Sequence, residues 1–143
     1  MSSYCIAQMS YMLPHLQNGW QVEQAILTEE DKVVVIRFGN DWDPSCEKMD
    51  GALFKIAEKV KNSEMIYLVD VNLVPDFNEE YKVSDTCSLR FFFRNKQIMI
   101  DSGNGNNQDI NWPLEDKQKM ISIFETVYDE AKKGKDVVVL PQD

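Results

Sequence analysis

Two hydrophobic periods alternate along this chain. Val33-Val-Val-Ile36 is an unbroken β-branched run. Such a run suits a strand covered on both faces, and it predicts a strand over Lys32 to Phe38. Gly39, Asn40 and Asp41 break it. From Pro44 to about Lys61 the apolar residues Met49, Leu53, Ile56, Ala57 and Val60 return at helical spacing. Gly51 lies inside this helix and weakens it by up to about 1 kcal/mol relative to alanine. Met65 to Val71 reads as a second buried strand. Strand, helix and strand together predict a right-handed parallel crossover.

The flanking stretches extend the pattern. Asn18 fits the N-cap of a helix over Gly19 to Leu27, with Val22, Ala25 and Ile26 on one side. Pro75 to about Lys82 reads as a short helix with Phe77 and Tyr81 four apart. Leu89 to Phe93 and Gln97 to Asp101 read as strands joined at Asn95-Lys96, an antiparallel hairpin. The polar run from Gly103 to Gln108 is a loop. Pro113 opens a last helix, with Glu115 and Asp116 favourable to the dipole in its first turn. Its stripe is Met120, Ile123, Phe124, Val127, Tyr128 and Ala131, and Lys132, Lys133 and Gly134 end it. Val137 to Leu140 is a short apolar tail.

Composition narrows the function. At 143 residues the chain predicts one domain with a real core. Its net charge of −9 disfavours direct binding to phosphates, which needs clustered lysine and arginine. Any link to RNA is therefore expected to run through protein partners. Three widely spaced cysteines, Cys5, Cys46 and Cys87, do not form a disulfide framework and suit a reducing compartment. With no apolar run long enough to span a bilayer and no leader pattern, a soluble intracellular protein is expected.

The chemistry concentrates in Arg37-Phe-Gly-Asn-Asp-Trp-Asp-Pro-Ser-Cys46. Asp43 fits an N-cap, Pro44 the first helical position, and Cys46 the first turn at the positive end of the helix dipole. This segment resembles the thioredoxin motif Trp-Cys-Gly-Pro-Cys with its first cysteine replaced by Asp43. Arg37 stands where thioredoxins bury a carboxylate. A dithiol oxidoreductase needs both thiols of C-x-x-C. The edited loop Trp42, Asp43, Pro44, Ser45 and Cys46 has one. Together with Asn18-Gly-Trp-Gln-Val22, Ile66-Tyr-Leu-Val-Asp70, Phe91-Phe-Phe-Arg-Asn-Lys96 and Gly105-Asn-Asn107, it resembles the DIM family of thioredoxin-like proteins of the U5 small nuclear ribonucleoprotein. The likeness runs from Met9 to about Pro141. It divides the chain into an extension over residues 1–8, expected to be disordered, a thioredoxin-like domain over 9–134 and a tail over 135–143. The implied fold is α/β, a mixed central sheet flanked by helices.

The resemblance implies a non-enzymatic component of the U5 particle and of the U4/U6·U5 tri-snRNP, without a cofactor. It implies contact with large spliceosomal proteins of the U5 and U4/U6 particles, and proximity to snRNA mainly through them. It further implies a nuclear location, a tie to the cell cycle, no membrane partner and a monomer outside the complex. Both Cys46 and Cys87 are cysteine in the family, so the resemblance makes them a candidate disulfide; two buried small side chains are the alternative. The competing function is a monothiol redox protein using Cys46, with Cys87 as relay. Opposing it are the missing first cysteine, Arg37, and the charge of Asp43 beside any thiolate.

The remaining candidates have plain readings. Thr86 departs from the proline usual in the family, and Arg90 puts a charge in a central strand, which is costly unless paired or turned outward. His15 is the only histidine and reads as a surface residue, with no zinc cluster near it. Gly103 and Gly105 make a weak phosphate motif outside any βαβ unit. Asp41, Asp43, Asp76, Glu79 and Glu80 read as solvated loop and helix-start acids.

Overall fold

A five-stranded mixed sheet in the order β2-β1-β3-β4-β5 carries helices on both faces. The computed structural model describes residues 13–77, 87–101 and 116–139. In chain order the elements are α1 (Gly19–Thr28), β1 (Val33–Gly39), α2 (Pro44–Val60), β2 (Glu64–Asp70), a single 3-10 turn (Pro75–Phe77), β3 (Cys87–Phe93), β4 (Lys96–Asp101), α3 (Lys117–Lys132) and β5 (Val137–Val139). The β-branched run forms the middle of the sheet. β1 pairs in parallel with β2, from Val33↔Glu64 to Gly39↔Asp70, and antiparallel with β3. All seven residues of β1 are buried, as a strand covered on both faces requires.

Strand alternation divides the core in two. Val33, Val35, Leu89, Phe91 and Phe93 turn toward Met49, Leu53 and Ile56 of α2 and Phe124 and Val127 of α3. Phe91 and Phe124 meet edge to face at 5.4 Å, worth about 1 kcal/mol beyond their buried area. On the opposite face Val34, Ile36, Phe38 and Phe92 pack against Val22 and Ile26 of α1 and Phe77 of the 3-10 turn. The N-terminal segment joins the free edge of β2 in a single parallel bridge, His15↔Leu68. Leu68 N donates to Pro14 O at 2.8 Å and Leu16 N donates to Leu68 O at 2.9 Å.

Several boundaries differ from the sequence reading for physical reasons. The hairpin turn is Arg94-Asn95, with φ of 50° and 65°, and Lys96 pairs with Phe93. A tight hairpin needs left-handed backbone at both turn residues, and these two supply it. Arg94 is steadied there by its ring contact with Phe93 and a bond to Glu30 O. Asp116 caps α3 by accepting from Lys119 N, rather than lying inside its first turn. Gly134, at φ 93°, closes that helix. The apolar tail is a strand: β5 adds in parallel to β4 through Met99↔Val137 to Asp101↔Val139. Of the short helix read from Pro75, only Pro75–Phe77 falls within the described residues. The extension over 1–8, Glu79, Glu80, Thr86, the loop from Gly103, Pro113 and Glu115 lie outside them.

Candidate functional site

The edited loop leaves the C-terminal end of β1 and enters α2. Local bonds fix its path. Asp43 N donates to Asn40 O, Trp42 N donates to Asn40 Oδ1, and Ser45 N donates to Asp43 Oδ1 at 2.8 Å. Asp43 is therefore the N-cap and Pro44 the first helical residue. The turn that follows buries Cys46 completely and points Trp42 outward, 85% exposed.

Beneath the loop lies a charged cluster inside the core. Arg37, on β1, has no exposed surface, and neither has Asp50 on the inner face of α2. Arg37 Nε donates to Asp50 Oδ1 and Nη2 to Asp50 Oδ2, both at 2.8 Å, a forked pair. Nη2 also donates to Asp41 Oδ1 at 2.6 Å, and Nη1 donates to Val69 O at 3.2 Å. Every nitrogen of the guanidinium thus has a partner. Burial draws the Arg37 pKa down, but the bonds to Asp50 and its charge, with those to Asp41, outweigh it and raise it. Charge burial of this kind is tolerated only with such pairing.

The cluster reaches the surface through the N-terminal segment. His15 Nε2 lies 3.4 Å from Asp41 Oδ2, and Nδ1 lies 3.1 Å from Leu13 O. His15 is thus a half-buried neighbour of the loop, not the plain surface residue its sequence suggests. Asp41 likewise engages the buried guanidinium, in contrast to a solvated loop acid. Arg90 is buried on the α1 face of the sheet, opposite Ile36.

Cys46 and Cys87 are brought together at the top of α2 and the start of β3. Both are buried and reduced. A hydrogen bond links the thiols; it lowers the Cys46 pKa against the opposing effect of burial, and Arg37 and the Asn40 backbone assist. The same bond, with burial, pushes Cys87 up. The arrangement holds a polarised thiol whose sulfur neighbour is Cys87, and both are buried. Among the described residues no group of histidine, cysteine and carboxylates is arranged to hold a metal ion. No helix among them is long and apolar enough to cross a membrane.

Comparison with known proteins gives this geometry its context. A family profile described as "Mitosis protein DIM1" matches residues 12–143. The chain is 58% identical over 135 residues to mitosis protein dim1 of Schizosaccharomyces pombe, covering 94% of this chain and 95% of that one. It is 48% identical over 134 residues to spliceosomal protein DIB1 of Saccharomyces cerevisiae, covering 94% of each. Thioredoxin-like protein 4B of Homo sapiens is more distant, 34% identical over 135 residues, covering 94% of this chain and 91% of that one. Among solved structures, mitochondrial thioredoxin 3 of Saccharomyces cerevisiae superposes with a TM-score of 0.64 at 17% identity, covering 82% of this chain and 97% of that one. That likeness shows the thioredoxin fold. With a match over nearly its whole length and relatives well above a third identical, the chain belongs to the DIM1 family.

Proposed function

We propose that this chain is a non-enzymatic protein component of the spliceosome, held in the U5 small nuclear ribonucleoprotein and the U4/U6·U5 tri-snRNP. It acts in the nucleus through contacts with large splicing proteins. A small rigid domain that binds one assembly state preferentially stabilises that state, here the particle before catalytic activation. The carrying observation is the closed thioredoxin site. Its first cysteine is Asp43, a helix cap; its buried carboxylate position holds Arg37, neutralised by Asp50 and Asp41; its remaining thiol, Cys46, is fully buried. What such a site keeps is shape and an exposed Trp42. The name of the Saccharomyces cerevisiae relative, spliceosomal protein DIB1, supports the same reading. The name of the Schizosaccharomyces pombe relative fits a cell-cycle defect that follows from failed splicing.

The competing reading is monothiol redox chemistry at Cys46, favoured by its lowered pKa. Complementation separates the two. A splicing extract depleted of its own DIM1-family protein should regain pre-mRNA splicing on addition of this chain. It should regain it equally with the Cys46→Ala/Cys87→Ala chain. Restoration by the wild-type chain alone, with both chains equally folded by circular dichroism, would transfer the function to the thiols.

A further inference from the structure

At the C-terminal end of the parallel strands, two large apolar side chains stand in solvent: Trp42, and Leu73 at 74% exposure. They leave adjacent strands. Gly39 and Asp70 are register partners, and Val71 N donates to Gly39 O at 2.9 Å, so the two loops start side by side. Both loops are locked. The Trp42 loop is tied by Asn40, by the Asp43 cap and by Asp41 on Arg37. The Leu73 turn is tied by Asn72 N and Val74 N, each donating to Asp70 at 2.9 Å, and by Leu73 N to Asp70 O. An exposed aromatic on a pre-ordered loop costs little entropy to bind, which is how binding hot spots are built.

The surroundings select the partner's charge. Asp41 and Asp43 flank Trp42, and Glu47 lies one helical turn beyond Asp43. Asp76 is exposed just past Leu73, and its carboxylate sits against Gly19, where a Cβ would meet Asp76 Oδ2 at 2.5 Å. The start of α1 thus joins the same end of the molecule. Arg37, the nearest buried cation, is already neutralised, and Lys48 is the lone lysine of the stretch from Gly39 to Phe54.

We propose that Trp42 and Leu73 form a docking surface for a protein segment that sets an apolar side chain against them and lysines or arginines against Asp43, Glu47 and Asp76. The proposal rests on the assembly reading above and names the chemistry of one partner. Desolvating an acidic rim favours a basic segment and disfavours nucleic acid, whose phosphates would meet like charge.

The test uses the full tagged chain in nuclear extract, with a benzophenone side chain installed at position 73 and, as control, at exposed Lys55. After irradiation the crosslinked species are digested and sequenced. The expected result is a peptide with an apolar residue flanked by lysine or arginine, crosslinked from position 73 but not from 55. The Trp42→Ala change, and separately Asp43→Asn/Glu47→Gln, should lower its yield at least tenfold. Crosslinks to RNA, to an acidic peptide, or equally from position 55 would overturn the proposal. So would no crosslink from a chain that still recovers U4, U5 and U6 RNAs. A wild-type chain that recovers none of those RNAs would instead defeat the assembly reading.

Discussion

Removing Arg37 takes two charged hydrogen bonds from Asp50, a carboxylate that has no exposed surface. In Arg37→Met, Asp50 keeps its place on the inner face of α2 between Met49 and Leu53, but loses both 2.8 Å bonds. Breaking a buried pair from one side costs about 3–5 kcal/mol, because the surviving charge is left desolvated. Against a total stability of about 5–15 kcal/mol, this is enough to leave the domain marginal. Asp50→Leu should cost a similar amount, reduced because Asp41 still neutralises the guanidinium at 2.6 Å. The double variant carries neither charge, so its cost should fall short of the sum by at least about 2 kcal/mol. Urea unfolding followed by circular dichroism measures all four corners of the cycle, provided the urea slope stays constant. Additive costs, or an Arg37→Met cost under about 1 kcal/mol, would refute the claim that this pair closes the old thioredoxin site.

Glu64 gives a second prediction, in pH. It is 3% exposed at the start of β2, with Ser63 as its hydrogen-bond donor and Oε1 without one. Burial, opposed by Ser63 and aided by the charges of Glu125 and Asp129, raises its pKa from 4.5 to about 8. The folded state then holds a proton the unfolded chain releases, so stability is greatest below about 4.5 and falls as pH rises toward 8, by up to about 1.4 kcal/mol per unit. Glu64→Gln should flatten that slope and stabilise the protein by about 2–4 kcal/mol at pH 8, with little effect at pH 5; an unchanged slope in thermal melts would contradict it. Gly51→Ala should raise stability by about 0.5–1 kcal/mol, since nothing lies within 4 Å of the added methyl; a loss would mean the helix needs glycine there. In a Cys5→Ser background, Cys46 and Cys87 should stay unreactive to a bulky disulfide reagent until urea unfolds the chain. A strong small oxidant should couple them into one internal disulfide without dimers, and fast reaction in the native state would show that Cys46 is reachable.

What could be read from the sequence was what neighbours in the chain determine. The N-caps Asn18 and Asp43, Pro44 at the first helical position, and the buried β1 run all act within a few residues. Each appears in the structure where the pattern puts it. The charged cluster was only half legible. Arg37 stood out only as the residue where thioredoxins bury a carboxylate, and its partner Asp50 lies thirteen residues on, across the sheet–helix interface. A signal was present: an aspartate inside the apolar stripe of α2, between Met49 and Leu53, needs a buried cation opposite. His15 joined the site through the bridge to Leu68, a tertiary contact no local pattern encodes. β5 escaped notice because three valines beside a helix end look like a tail until β4 supplies the partner strand.

The central claim is that this fold serves assembly and not thiol chemistry. Its most direct test is affinity capture of the tagged full chain from nuclear extract, with the recovered RNA run on a denaturing gel. The account predicts U4, U5 and U6 small nuclear RNAs well above an untagged control, and in equal amount from the Cys46→Ala/Cys87→Ala chain. Absence of all three at low salt would contradict it.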